Sequence, residues 1–370
     1  MRSEQLVAAL VAIDSVNPDL VPGGAGESEI ADFVAGWLRD AGLEVELDEA
    51  AAGRPSVVGV ARGTGGGASL MLNAHMDTVG VEGMERPFEP VVKDGRLYGR
   101  GAYDMKAGLA ACMLAAERLS SERLAGDVVV TAVSDEEYAS IGVQSVLELR
   151  QTDAAIVTEP TGLRVCIAHK GFAWVELETH GRAAHGSRPA EGVDAITGMA
   201  PALARLAGLQ AELDSSAGHE LVGPGSVHAS IIDGGQELSS YPARCTLSLE
   251  RRTIPGETAE DVLRECGALT EGATDAEVRL RLVREPFSVD PGAEVVGAVA
   301  RAAEAVTGRP AELYGESYWM DAAFIQAAGI PTAVFGPGGE GAHAVDEWVD
   351  LASVDACAEG LVLAARELCA

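Results

Sequence analysis

Basic residues are scarce in this chain. Lys and Arg number 27 against 57 Asp and Glu, giving a formal net charge of −30. So acidic a chain argues against nucleic acid and anionic membranes as partners. Long hydrophobic runs are also missing, and no stretch approaches the roughly 18 apolar residues that span a bilayer. The opening MRSEQLVAALVAIDSV lacks the apolar core and small-residue cleavage site of a signal peptide and reads as a surface helix. The six cysteines, Cys112, Cys166, Cys245, Cys266, Cys357 and Cys369, form no CxxC pair. That spacing argues against a zinc–thiolate site and predicts reduced thiols and a cytoplasmic home. The glycine-rich segments GTGGG and GRGAYDMKAG form neither GxxxxGK[ST] nor a GxGxxG after a first strand, so a nucleotide binder is disfavoured. There is no internal repeat and no low-complexity linker.

What is present is an ordinary globular chain of 370 residues, long enough for two domains. Its first half alternates helix-like and strand-like segments, the pattern of an α/β layered domain. Residues 27–41 read as a helix closed by Gly42. Val57 to Ala61, Ala68 to Ala74, Asp127 to Val133 and Ala154 to Thr158 read as strands. Residues 104–119 and 140–150 read as helices. The character changes near 172. Phe172 to Thr179, Arg244 to Arg251 and Glu277 to Val283 alternate as half-buried strands do, and Ser226 to Ile232 is a further strand. Helix-like stretches lie at Ala190 to Leu209 and Thr258 to Leu269. After PFSVDPG come a helix (294–306), a strand (331–335) and a closing helix (353–369). The expected fold is α/β: a mixed sheet flanked by helices, over residues 1–172 and 285–370, interrupted by an α+β insert at 173–284.

The chemistry-bearing residues follow the strand-like runs. His75 and Asp77 lie in NAHMD, Asp104 in GRGAYDMKAG, Glu136 and Glu137 in SDEE, Glu159 in TEP and His343 in GAH. Ligand sites in open α/β sheets lie beyond the carboxyl ends of strands. Imidazoles and carboxylates gathered there suit a two-metal hydrolase. Asp77, two residues from His75 in extended chain, is placed to accept from its ring. Two readings stand for Asp104: an N-cap of the following helix, or a carboxylate bridging two metals. Glu136 and Glu137 form either a solvated acidic turn or a pair pointing opposite ways, one to a metal and one to substrate.

In this order and spacing NAHMDTV, GRGAYDMKAG, SDEE, TEP and GPGGEGAHAVDEWV resemble the zinc aminoacylase/carboxypeptidase family, the M20-type metallopeptidases. The resemblance covers nearly the whole chain. It implies a zinc-peptidase-like catalytic domain with an inserted lid that often dimerises. It implies two Zn2+, replaceable by Co2+ or Mn2+, one held by His75, Asp104 and Glu159 and the other by Glu137, Asp104 and His343. Asp77 is then the residue that orients His75, and Glu136 the general base acting on a metal-activated water.

In the insert, GRAAHGS resembles the family's histidine motif and makes His185 the donor to the substrate oxyanion, in dimers often from the partner subunit. ERRTIPGET resembles its Arg-x-x-Pro motif and assigns Arg252 to a substrate carboxylate, with Arg251 the alternative if the register alternates. Backbone N–H groups of GPGG, at Gly338 and Gly339, are expected to help. Two departures stand out: Ser239 occupies the position where many members have asparagine, and Glu250 the position of an aspartate. His169, His180, His219 and His228 are expected to be structural or exposed. The implied activity is hydrolysis of an N-acyl amino acid, as in the deacetylase and desuccinylase branch where Glu159 is also Glu. The alternatives are a carboxypeptidase or dipeptidase releasing a C-terminal amino acid from a short peptide, and a metal-binding scaffold without catalysis. A homodimer through the lid is the expected assembly.

Overall fold

The computed structural model describes residues 2–273 and 275–370. They form two compact units. The larger takes the chain through Ile167 with Val289–Tyr314 and Met320–Ala370, and the smaller takes Ala168–Ser288 with Gly315–Trp319. The smaller unit thus extends a few residues beyond 173–284 at both ends. Gly315–Trp319, expected in the catalytic domain, belongs by packing to the smaller unit. There the Trp319 ring meets those of His169 and Phe172 at centroid distances of 6.2 and 6.5 Å.

The larger unit is built on a mixed sheet. Its strand order is Glu44–Ala51, Arg54–Ala61, Val128–Val133, Leu70–His75, Ala154–Val157, Thr332–Val334, Val165–His169. The four strands from Val128–Val133 to Thr332–Val334 run parallel to one another. All their residues are buried. Parallel strands covered on both faces read as continuous apolar runs, which is why these four stand out in the sequence. The first two strands are antiparallel additions.

Helix Lys106–Ser120 is buried round most of its circumference. It approaches the sheet closely at Gly108, where a Cβ would lie 2.2 Å from the Thr158 carbonyl oxygen. The N-terminal helix, Ser3–Val11, is more than a surface element: Leu6, Val7, Leu10 and Val11 are wholly buried. A second small sheet joins Gly339–Glu340, Trp348–Asp350, Arg96–Tyr98 and Val91–Lys93 in that order. Among the described residues no helix is long and apolar enough to cross a membrane.

The smaller unit carries an antiparallel sheet in the order Ser226–Gly234, Arg244–Thr253, Gly171–His180, Ala276–Arg284. Burial alternates strictly along Arg244–Thr253, as a sheet covered on one face requires. The buried side chains, among them Val175, Leu177, Leu247 and Leu249, share a core with Met199, Val262 and Cys266 from two helices. Those helices are Ala195–Ser215 and Ala259–Leu269. The first begins five residues later than its composition suggests, because Asp194 caps it by accepting from the Thr197 N–H at 3.0 Å.

Candidate metal centre

Because the four central strands of the larger unit are parallel, their carboxyl ends lie along one edge. His75 is the last residue of its strand, Glu136 and Glu137 follow Val128–Val133, and Glu159 follows Ala154–Val157. His343 lies in the loop beyond Thr332–Val334. Asp104 comes from the loop before helix Lys106–Ser120. It is not the cap of that helix, whose N-cap is Met105, and the Asp104–Met105 peptide is cis.

Two groups of donors converge here: His75, Asp104 and Glu159, and Asp104, Glu137 and His343. Asp104 belongs to both. Its Oδ1 lies 3.2 Å from His75 Nε2 and its Oδ2 3.3 Å from His343 Nε2. Glu159 Oε1 is 3.6 Å from His75 Nε2, and Glu137 Oε2 is 3.1 Å from His343 Nε2. Glu136 Oε2 stands 4.0 Å from His75 Nε2, beside the first group. The two glutamates do not diverge by strand alternation. They sit in a turn opened by Asp135 at φ 67°, and both carboxylates face the cluster.

Asp77 acts differently from the expectation. His75 Nδ1 donates to the Asp77 carbonyl oxygen at 3.0 Å, while the Asp77 carboxylate lies 3.6 Å away. An acceptor at Nδ1 fixes the proton there and directs Nε2 to the cluster. The Asp77 carboxylate instead accepts the Glu136 and Glu137 N–H groups at 3.1 and 3.2 Å.

The electrostatics favour a cation. Burial pushes the Glu136 and Glu159 carboxyls well above the usual range, and neighbouring carboxylates add to it. Burial and the Asp104 charge also raise Glu137. The Asp104 and Glu137 carboxylates raise His343 to about 10. At Asp104 burial works upward, but the His343 and His75 rings outweigh it and hold the carboxyl low. Among the described residues Glu137 Oε1 is buried without a hydrogen-bond partner. Crowded carboxylates, imidazoles and an orphaned oxygen are the donor set that divalent zinc takes, so the residues present fit two metal ions.

Several supporting residues have no strong sequence signal. Asn17 Nδ2 donates to Asp77 Oδ2 at 2.8 Å and Asp135 Oδ1 at 2.9 Å. Arg54, buried, pairs with Glu27, Asp135 and Asp19. Lys106 is fully buried, its Nζ donating to the Ile13 carbonyl at 2.7 Å, and burial pulls its pKa down to about 7. Glu347 accepts from Arg100 and from the backbone of the Asp104 loop. Each of these contacts joins segments far apart in the chain, which no local pattern announces.

The loop GPGG requires a correction. The Gly338 N–H is donated to Ser353 Oγ at 2.8 Å, so it is not open to a carboxylate. Gly339 lies in the strand Gly339–Glu340, where a Cβ would come 2.3 Å from the Trp348 carbonyl oxygen. Close packing accounts for that glycine.

In the smaller unit, Arg251 is buried and committed to Glu257 and Glu265 at 2.7 and 2.9 Å. Arg252, on the opposite face of the strand, is half-exposed, bonded to Glu250 at 2.7 Å and set 5.1 Å from the Phe172 ring centroid. His185 is exposed, its Nδ1 2.8 Å from Ser187 Oγ. The Ser239 carbonyl accepts the Gly186 N–H at 2.7 Å and holds the segment of His185 against that of Ser239.

The description of peptidase family M20/M25/M40 matches residues 71–367. An acetylornithine deacetylase of Edwardsiella ictaluri is 31% identical over 358 residues, covering 93% of this chain and 92% of that protein. One of Proteus mirabilis is 29% identical over 367 residues, with 95% and 92% covered. A tripeptidase from Staphylococcus aureus superposes with a TM-score of 0.82 at 23% identity, covering 100% of this chain and 98% of that one. A dinuclear metal-binding peptidase from Bacillus subtilis gives 0.75 at 17%, covering 99% and 97%. At these identities the solved structures show the fold.

Proposed function

The chain belongs to peptidase family M20/M25/M40, and from that premise we propose that it hydrolyses the amide bond of an N-acyl amino acid in a metal-dependent reaction. The observation that carries the reading is the pair of donor groups meeting at Asp104, with Glu136 beside them. The relatives named acetylornithine deacetylase support the substrate class.

His75, Asp104 and Glu159 are assigned to one ion, and Asp104, Glu137 and His343 to the other, with zinc expected and cobalt or manganese as substitutes. Bound there, such ions supply Lewis acidity, which lowers the pKa of water and polarises an amide carbonyl. The rest is the work of the chain's own groups. Glu136 takes the proton of the attacking water and returns it to the leaving amine. Its place beside the donor cluster, with Oε2 4.0 Å from His75 Nε2, suits a group that shuttles a proton there. The Asp77 carbonyl keeps the Nδ1 proton of His75 in place, and the Asp77 carboxylate anchors the turn that bears Glu136. His185 donates to the oxygen where charge develops. Arg252 receives the substrate carboxylate, and Ser239 borders the acyl group.

The smaller unit is assigned as the lid, through which two copies pair. Its edge strand Ser226–Gly234 leaves Ile231 66% and Ile232 53% exposed, the kind of edge that pairs with another chain. Light scattering of an Ile231→Lys variant tests the dimer, and a monomer is expected.

The activity is tested by a screen of acetyl-, succinyl- and aminoacyl-amides of ornithine, diaminopimelate, glutamate and neutral amino acids, with added metal and with chelator. Chelator-sensitive hydrolysis of one acyl series is expected. Two bound ions with no hydrolysis of any series would remove the reading.

A further inference from the structure

Building on the assignment of Asp104 and His343 as ion ligands, we propose that the buried pair Arg100–Glu347 is the positioning device of the metal centre. It locks the Asp104 loop to the His343 loop and so sets the affinity of the Asp104–Glu137–His343 site.

The Glu347 side chain is wholly buried and that of Arg100 nearly so. A carboxylate carried that deep is costly unless its oxygens are filled. Glu347 meets four donors. Oε2 accepts from Arg100 Nη1 at 2.7 Å and from the Gly101 N–H at 2.9 Å. Oε1 accepts from the Tyr103 N–H at 2.9 Å and the Asp104 N–H at 3.0 Å. Three of these donors are backbone groups of one loop, so the carboxylate is the template on which residues 101–104 are shaped. The bond to the Asp104 N–H fixes the residue whose two oxygens face His75 and His343.

The guanidinium of Arg100 carries the constraint to the second loop. Its Nη2 donates to the carbonyl of Ala344 at 3.1 Å, the residue after His343, and its Nε to the carbonyl of Gly80 at 3.0 Å. The small sheet sets the register. Trp348 pairs with Tyr98, which brings Glu347 opposite Gly99, and the Gly99 N–H donates to the Glu347 carbonyl at 3.2 Å. No neutral side chain of this size substitutes fully, because glutamine offers one acceptor oxygen where four donors converge.

The two ion sites depend on this device unequally. His75 ends one buried strand and Glu159 lies two residues beyond the end of another, so the sheet holds both. His343 sits on a loop at φ 61° with its side chain 55% exposed. Its immediate supports are the turn bond from the Ala344 N–H to the Gly341 carbonyl at 2.9 Å and the Arg100 fork. Loosening the pair therefore acts mainly on the site that contains His343.

The test is calorimetric titration of the metal-free full chain with Zn2+, alongside its melting curve, for the wild type, Glu347→Gln and Arg100→Lys. The wild type is expected to take up two ions. In Glu347→Gln the ion at the Asp104–Glu137–His343 site should bind about 10- to 100-fold more weakly, the usual effect of losing a partner behind the ligands, and the other ion, which shares Asp104, should weaken markedly less. Arg100→Lys keeps a charge beside Glu347 but cannot span to Ala344, so it should show the same selective loss to a smaller degree. If Glu347→Gln fails to fold, Arg100→Lys carries the test alone. Equal weakening of both ions would reduce the pair to general stability and overturn the proposal, as would unchanged binding in a folded variant. A wild type that binds no ion would remove the metal assignment as well, so the two failures are distinguishable.

Discussion

Glu136 and Glu137 are chain neighbours that face different histidines, and the reason is local. Asp135 in the left-handed region turns the chain at the end of Val128–Val133, and the Asp77 carboxylate then accepts both glutamate N–H groups. Glu137 is thereby aimed at His343 and Glu136 past His75. If Glu136 moves the proton, Glu136→Gln should retain both ions by elemental analysis while kcat falls by about 10²- to 10⁴-fold. Full turnover in that variant would take the role away from it. Asn17 stands one step further back, its amide shared by Asp77 and Asp135. Asn17→Ala leaves two buried carboxylates short of a donor, which should cost about 1–3 kcal/mol in urea unfolding and lower kcat with it. At Arg252, replacement by alanine should raise KM for substrates with a free carboxylate and leave their amidated counterparts unchanged. An equal rise in both would detach the guanidinium from carboxylate recognition.

At the scale of elements, the parts legible in the sequence are those whose burial is two-sided. VVVTAV, LMLNAH and AAIV are largely apolar because every residue of these parallel strands is buried, and the ligands are legible because they lie at or just beyond the ends of such runs. The strand Glu44–Ala51 escaped because it is the sheet's edge. Half of its sequence EVELDEAA is charged and none of it is fully buried, as edges that must resist further pairing tend to be. Glu347 escaped although it lies within a motif already noted, because its partners are 243 to 247 residues away in sequence. Gly108 shows how element packing reaches the centre. Helix Lys106–Ser120 begins beside Asp104, and Gly108 lets it lie against Thr158, the residue before Glu159. Gly108→Ala would drive a methyl group into the Thr158 carbonyl. The overpacking should cost about 1–3 kcal/mol despite alanine's better helix propensity, and ion affinity should fall with it. A variant melting higher than the wild type would show that the helix shifts freely and that this contact does not set the spacing of Asp104 and Glu159.

For the whole molecule, two kinds of negative charge must be kept apart. The formal charge of −30 arises from residues largely on the surface, where salt screens them over about 10 Å at 0.1 M. The carboxylates of Asp104, Glu136, Glu137 and Glu159 are gathered beside the ends of buried strands, Asp104 from the loop before helix Lys106–Ser120, with side chains at most 17% exposed, and salt reaches them poorly. An ion that binds only the folded chain stabilises it by about 2.7 kcal/mol when free at one hundred times its Kd. Chelation should therefore lower the melting temperature, and added sodium chloride should raise it by relieving surface repulsion. The two effects should be independent. The drop caused by chelator should persist when the salt is increased about tenfold, because screening cannot replace a cation at Asp104. Melting curves with and without chelator at low and high salt decide it. A chelator effect that vanishes at high salt would place the lost ions on the acidic surface instead of at the strand ends.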